Sequence, residues 1–314
     1  MAAYPRFETA PGGAQVAVGL ARVIGRTSRL WKQRGLGSIY KMLRRAPVVG
    51  RARCVVELSR GTYFETDVFE PYWAPTIIGG RPYEPELMYL LERVGSLRPV
   101  LVDAGANFGY WSVLATSAEI GFAGAVAIEA SPNTSRFLRA NARLNGDRFH
   151  VLNRAVSAKS GETVRLAESD GHAVAHVNAS GSGADVETIS LDDAVREAGL
   201  WDRERFVLKI DVEGLELAAF EGSRELRNSK DHVVFVEDFP DTGAGGFENV
   251  AALLDEGYVV SYVGADGRCE SIRSVAHVFE AMKKHPNAGR SRNFVATKPT
   301  GAFFDVIDRW AKER

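Results

Sequence analysis

Five acidic residues stand where their chemistry would count. Asp103 closes the apolar run PVLVD, Glu129 closes AVAIE, Asp211 closes FVLKID, and Glu237 with Asp238 closes HVVFVED. Carboxylates so placed can accept hydrogen bonds from a ribose, take a proton from a hydroxyl, or ligate a hard cation through oxygen. Between the first two lies the turn Asp103-Ala-Gly105-Ala-Asn107-Phe-Gly109. Its glycines let the backbone bend sharply and let a ligand come close, while Asn107 tolerates left-handed backbone and offers an amide.

These positions need a scaffold, and the flanking pattern supplies one. A helix opens at Glu84-Pro85-Glu86, carries the stripe Leu87, Leu90, Leu91, Val94, and ends near Gly95. PVLVDAGANFGYWSVLAT then reads as strand, turn and helix, followed by AVAIEA (strand), 133–144 (helix), FHVLNRAV and FVLKIDV (strands), 216–226 (helix) and HVVFVEDF (strand). This alternation predicts an α/β, Rossmann-like fold with a mostly parallel, doubly wound sheet. Ligands of such sheets bind beyond the carboxyl ends of the strands, where the acidic residues fall. GYVVSYVG and NFVATKP show no long amphipathic helix between them and predict a C-terminal antiparallel hairpin, and SGSGAD at 180–185 reads as a flexible loop.

The N-terminal part differs. CVVELS and TYFETDVFE flank Arg60-Gly61 as a β-hairpin, and Val16, Leu20, Val23, Ile24 and Leu30 oppose Arg22, Arg26 and Arg29 on a basic amphipathic helix. The expected division is 1–81, a basic helical and β-hairpin extension, and 82–314, the α/β domain.

The turn lacks an intact GxGxxG, and Asp103 would repel a dinucleotide pyrophosphate while favouring the ammonium and sulfonium of S-adenosylmethionine. Glu129, 20 residues after Gly109, is spaced to accept from both ribose hydroxyls. Asn153, Ala155 and Val156 would wall the adenine. S-adenosylmethionine is therefore the expected cofactor.

VDAGANFGYWS, AIEASP, NRAVS with its SGE turn, ISLDD, LKIDVEGLE and VVFVED together resemble the FkbM-type methyltransferase family over residues 82 to 240. Asp211-Val-Glu213-Gly214-Leu-Glu216 is the most specific element. The resemblance implies a class I methyltransferase fold and O-methylation of hydroxyls on natural products or on sugars of surface and secreted glycans. It also implies cofactor contacts at Asp103, Gly105, Asn107, Gly109, Glu129 and Ala155, with a catalytic region around Asp211.

Methyl transfer to a hydroxyl requires alignment and loss of a proton. Asp211, Glu237 and Asp238 are expected to converge, and they resemble the metal site of some macrolide-sugar O-methyltransferases; together they would hold Mg²⁺ or Mn²⁺. The alternative is a metal-free site with a carboxylate (Asp211, Glu237) or His172 or His176 as base. Glu213 and Glu216 suit a helix start. Tyr72, Trp73, Tyr83 and Trp111 can stack on a sugar or pack in the core.

Composition narrows the function. The 314 residues carry a net charge of −1, against generic nucleic-acid binding, although residues 1–60 hold an excess of ten positive charges. Two cysteines, Cys54 and Cys269, fit a reducing compartment. With no run of about 18 apolar residues, the expectation is a cytoplasmic enzyme that methylates a saccharide hydroxyl (glycan, lipid-linked or nucleotide-linked). Residues 14–35 are candidates for peripheral contact with the inner membrane face or for packing within the protein or across a homodimer. The rival functions are methylation of a non-sugar metabolite or polyketide, and a non-catalytic S-adenosylmethionine-binding module.

Overall fold

The computed structural model describes residues 7–8, 19–21, 23–24, 36–44, 52–78, 80, 83–168, 175–177, 183–239, 247–284 and 292–313. β1 (Phe7–Glu8), β2 (Arg53–Ser59) and β3 (Thr62–Asp67) make a small antiparallel sheet in that order, with the expected turn at Gly61. The main sheet is built from β4 (Val100–Ala104), β5 (Gly124–Ile128) and β6 (His150–Leu152). The chain then leaves it for a second small sheet of β7 (Ala155–Val156), β8 (Thr163–Glu168), β9 (Ala175–Val177) and β10 (Gly183–Ile189), in the order β7-β10-β8-β9. It returns with β11 (Arg205–Ile210), β12 (Asp231–Glu237), β13 (Val259–Val263), β14 (Cys269–Ile272) and β15 (Asn293–Thr297).

The main sheet runs β14-β13-β15-β12-β11-β4-β5-β6. Strands β6, β5, β4, β11 and β12 are parallel, and β15, β13 and β14 add antiparallel pairings. The chain winds from β4 outward through β5 to β6, then reappears on the other side of β4 as β11. The order therefore reverses between β4 and β11, and that switch point fixes where a ligand binds. Apart from Asp103 and Lys209, the buried residues of β4 and β11 are apolar on both faces, as a covered parallel sheet requires. Leu101 joins one buried cluster with Leu87, Leu90 and Leu91, while Val100, Val102 and Ala104 join a second with Phe206, Leu208 and Ile210.

Two expectations change. The C-terminal part is antiparallel, but β15 lies between β12 and β13, and the interval read as lacking a helix holds β14 and the helix Val275–Lys284. Residues 183–185, read as loop, begin β10. Gly183 permits this tight pairing, since a Cβ there would lie 1.8 Å from the Leu166 carbonyl oxygen.

The hairpin is joined to the main domain by a side-chain ladder. Asn141 and Asn145, one turn apart on the helix Pro132–Leu144 and just beyond its end, face the free edge of β3. The Tyr63 N–H donates to Asn145 Oδ1 (2.9 Å) and Asn145 Nδ2 donates to the Tyr63 carbonyl (2.7 Å). Asn141 repeats the pattern on Glu65, at 2.6 and 3.2 Å. The two amides satisfy β3 as another strand would.

Of the N-terminal amphipathic helix, residues 19–21 and 23–24 are helical and the rest lies outside the described residues. Among the described residues no helix is long and apolar enough to cross a membrane.

Candidate active site

At the switch point the loop after β4 and the turn after β11 meet. Gly105 (φ 75°) passes so close to Asp211 that a Cβ would lie 1.9 Å from the Asp211 carbonyl oxygen, and the Asp211 N–H donates to Ala104 O at 3.2 Å. A cleft opens there, lined by Gly105, Asn107, Glu129, Ala155, Lys209 and Asp211 among others. Tyr72, Trp73, Tyr83 and Trp111 line the same cleft. Leu166 of β8 also reaches it, so the second small sheet closes the end near Ala155.

Four residues singled out for a cofactor (Gly105, Asn107, Glu129, Ala155) share this cleft, and two lie behind it. Gly109 starts the helix Tyr110–Ala115 and packs on Leu138, where a Cβ would come within 2.5 Å of Cδ1. Asp103 is fully buried beneath the loop, where its Oδ2 accepts from Ser112 Oγ at 2.7 Å.

Its neighbour there is Lys209, which sequence reasoning passed over. Lys209 stands opposite Asp103 in the β11/β4 register and is 2% exposed. Its Nζ lies 3.6 Å from Asp103 Oδ1, donates to Asp211 Oδ2 at 3.2 Å, and donates to Gly105 O at 3.3 Å. Burial pulls the ammonium toward deprotonation, but Asp211, Asp103 and Glu84 outweigh it and hold Lys209 charged, above its ordinary range. The signal was available: one lysine interrupts the apolar run FVLKI, two residues before Asp211 and so on the same strand face.

Asn107 is fixed from both sides. In left-handed backbone (φ 52°), its N–H donates to Glu129 Oε2 at 2.9 Å and its Oδ1 accepts from Trp73 Nε1, also at 2.9 Å. Glu129 Oε1 accepts the Ser131 N–H at 2.7 Å. Each Glu129 oxygen thus makes one backbone hydrogen bond and keeps a lone pair, which fits a ribose diol. Burial pushes this carboxyl up to about 7, against the pull of the Ser131 and Asn107 amides.

The metal reading is corrected. Asp238 Oδ2 accepts the Val250 N–H at 2.8 Å at the start of the helix Glu248–Asp255, so this carboxylate serves a helix end. Asp211 is paired with the Lys209 ammonium, which stands where a cation would. Among the described residues no group of three or more acidic, histidine or cysteine side chains is arranged to hold a metal, so Asp211, Glu237 and Asp238 do not form the expected cation site. Glu237 stays within electrostatic reach of the site: burial, then Asp211 and Glu213, push it up to about 7. Glu216 takes the capping role, its carboxylate accepting the Val212 and Gly214 N–H groups at 3.1–3.2 Å. Glu213 lines the cleft. His172 lies outside the described residues, and His176 falls on β9 with its side chain outside them.

A cleft at a doubly wound switch point, with a carboxylate whose two oxygens each keep a lone pair and no pyrophosphate fingerprint, fits the fold of class I S-adenosylmethionine-dependent methyltransferases. More narrowly, the methyltransferase FkbM domain matches residues 103–260, and the chain belongs to that family.

No curated protein matches the sequence. Among solved structures, an FkbM methyltransferase from Methylobacillus flagellatus is 20% identical with a TM-score of 0.33, the match covering 54% of this chain and 43% of that one. The chain thus spans less than half the length of that relative. An O-methyltransferase from Bacillus cereus in complex with SAH is 14% identical (TM-score 0.36; 69% and 80% covered). A SAM-dependent methyltransferase from Agrobacterium tumefaciens is 12% identical (TM-score 0.39; 78% and 70% covered).

Proposed function

We propose that the protein transfers a methyl group from S-adenosylmethionine to a hydroxyl of a saccharide. The observation that carries this reading is the composition of the cleft: Tyr72, exposed, and Tyr83 share it with the carboxylates of Asp211 and Glu213, backed by the buried rings of Trp73 and Trp111. Aromatic faces suit the apolar faces of a sugar ring, and carboxylates suit its hydroxyls. Glu129, Asn107, Gly105 and Ala155 would hold the cofactor. When bound, S-adenosylmethionine supplies an electrophilic methyl group. Asp211 would orient the acceptor oxygen and stabilise the positive charge it gains as the new bond forms.

A panel of methyl glycosides, oligosaccharides, glycerol and polyketide alcohols, assayed for mass gain of one methyl, tests the reading. Methylated saccharide is expected. Methylation of the non-sugar alcohols with the saccharides untouched would overturn it.

Cofactor retention supplies a second test. Glu129→Ala removes the acceptor of two ribose hydroxyls and is expected to weaken binding by about 1.5 to 3 kcal/mol. Because the ionised carboxylate is the accepting form and its pKa is raised to about 7, wild-type affinity should fall as pH drops below 7. The loss should be about tenfold between pH 8 and 6. Calorimetry showing unchanged affinity in Glu129→Ala, or no pH dependence in wild type, would refute the ribose assignment.

A further inference from the structure

The loop after β4 is reached by a part of the chain outside the family domain. That domain spans residues 103–260, whereas Trp73 opens the short helix Trp73–Ile77 that follows the hairpin. The indole is 2% exposed, and its Nε1 donates to Asn107 Oδ1 at 2.9 Å. A buried indole N–H needs some acceptor, and a backbone carbonyl would serve. Here the acceptor is the side chain of a residue that lines the cleft. Asn107 holds left-handed backbone (φ 52°) and donates its own N–H to Glu129 Oε2 at 2.9 Å. The bond from Trp73 therefore ties the Asn107 side chain to the helix, and with it the peptide whose N–H meets the carboxylate.

Trp73 is itself set by two independent features. At the helix start the Glu70 carboxylate, 1% exposed, accepts the N–H groups of Tyr72 (2.7 Å) and Trp73 through Oε2. Two charge-assisted bonds to one oxygen fix where the helix begins. Around the indole, Phe64 of β3 packs with ring centroids 5.4 Å apart, Tyr83 at 5.0 Å and Tyr110 at 5.2 Å. These rings fix its plane. An indole has one donor and no acceptor, so once its plane is fixed its single hydrogen bond has one direction, toward Asn107.

We propose that Trp73 is a positioning residue for the cofactor, acting through Asn107, so that the segment ahead of the family domain and the bound cofactor fasten each other. The proposal rests on the cofactor reading above. With Trp73 in place, the Asn107 N–H is aimed at Glu129 Oε2 before any ligand arrives, and each carboxylate oxygen keeps a lone pair for the ribose. When the indole N–H is removed, Asn107 Oδ1 loses that bond, the loop samples other arrangements, and restoring this one on binding lowers affinity. Linkage makes the effect reciprocal: a cofactor that binds better when the segment is docked also stabilises the docked segment.

The test uses the full-length protein and S-adenosylhomocysteine, the demethylated cofactor, titrated by calorimetry. Trp73→Phe removes the N–H, keeps an aromatic ring, and is expected to weaken binding about tenfold. In an Asn107→Gly background, where the acceptor is gone and left-handed backbone is still allowed, the same change should weaken it further by less than about twofold. Phe64→Leu isolates packing: it thins the rings around Trp73 without touching the hydrogen bond. It should lower stability to urea and leave affinity within about twofold of wild type. Deuterium exchange gives the reciprocal readout. Saturation with S-adenosylhomocysteine should slow amide exchange across residues 62–78 in wild type, and much less so in Trp73→Phe at equal saturation. On any acceptor that wild type methylates, Trp73→Phe should raise KM for S-adenosylmethionine and leave kcat within about threefold.

Trp73→Phe binding within about twofold of wild type, an undiminished effect in the Asn107→Gly background, or an equal loss in Phe64→Leu would overturn the proposal. Wild type that fails to bind S-adenosylhomocysteine removes the cofactor reading and the proposal with it. Wild type that binds while Trp73→Phe matches it removes the proposal alone.

Discussion

Asp211→Asn is expected to lower turnover by about two orders of magnitude or more while leaving cofactor affinity unchanged. The substitution keeps the shape of the side chain and removes its charge. Asp211 sits where β11 ends against Gly105, at the switch point, whereas the carboxylate of Glu129, proposed to take the ribose, is held on the other side of that loop by Asn107 and Ser131. In methyl transfer from a sulfonium to a neutral hydroxyl, positive charge appears on the acceptor oxygen as the bond forms. A carboxylate there lowers the barrier. An amide forfeits that effect and leaves the Lys209 ammonium, 3.2 Å away, without its nearer counter-charge. Since Asp238 is committed to a helix start and Lys209 stands beside Asp211, EDTA is expected to leave wild-type turnover unaltered. A near-normal rate in Asp211→Asn would remove Asp211 from the chemistry. Inactivation by EDTA with recovery in Mg²⁺ would overturn the metal-free arrangement.

Lys209→Met should destabilise the fold by about 3 to 5 kcal/mol, because removing one partner of a buried ion pair strands the other. Methionine fills the space, but Asp103 is fully buried and keeps only the Ser112 hydroxyl and its sheet neighbours around it. Burial already raises the Asp103 pKa against the opposing pull of Lys209. Without the ammonium the rise is larger. A carboxyl whose folded-state pKa lies above its unfolded value costs stability as pH rises past the unfolded value and costs none below it. The deficit of Lys209→Met relative to wild type should therefore shrink as pH falls. Urea denaturation at pH 7.5 and 5.5 measures both effects; equal stability of the two proteins at pH 7.5 would show that the lysine is not needed by its neighbours.

The sheet was legible because each parallel strand is an apolar run with an acidic residue at its carboxyl end, which locates both strand and site. Asp103, Glu129 and Asp211 fall at strand ends that do meet around one cleft or its floor, with Glu237 in electrostatic reach of it. What a strand end does not encode is the direction of the last side chain. Asp238 follows the run like Glu237, yet the helix Glu248–Asp255 draws it away, and nothing in HVVFVED signals a helix beginning ten residues later. Lys209 was hidden for a similar reason: its partner is 106 positions away in sequence and becomes visible only through the β11/β4 register. β8 and β10 escaped detection because TVRLAE and GADVETI alternate charged with apolar residues around glycines, a pattern shared by exposed loops. VAHVFEAMKK is amphipathic over fewer than three turns and passed as connection.

The amide ladder on β3 also bears on biosynthesis. Tyr63 and Glu65 leave the ribosome 82 and 76 residues before the asparagines that cover them. At ordinary elongation rates that interval is on the order of 4 to 16 s. Throughout it, a nascent hairpin would carry an open edge able to pair with any other emerging strand. The N-terminal region is thus completed by the domain that follows it, and the order of synthesis runs against the order of assembly. A chain interrupted before Asn141 would retain the residues of the hairpin and neither of the amides that cover its edge.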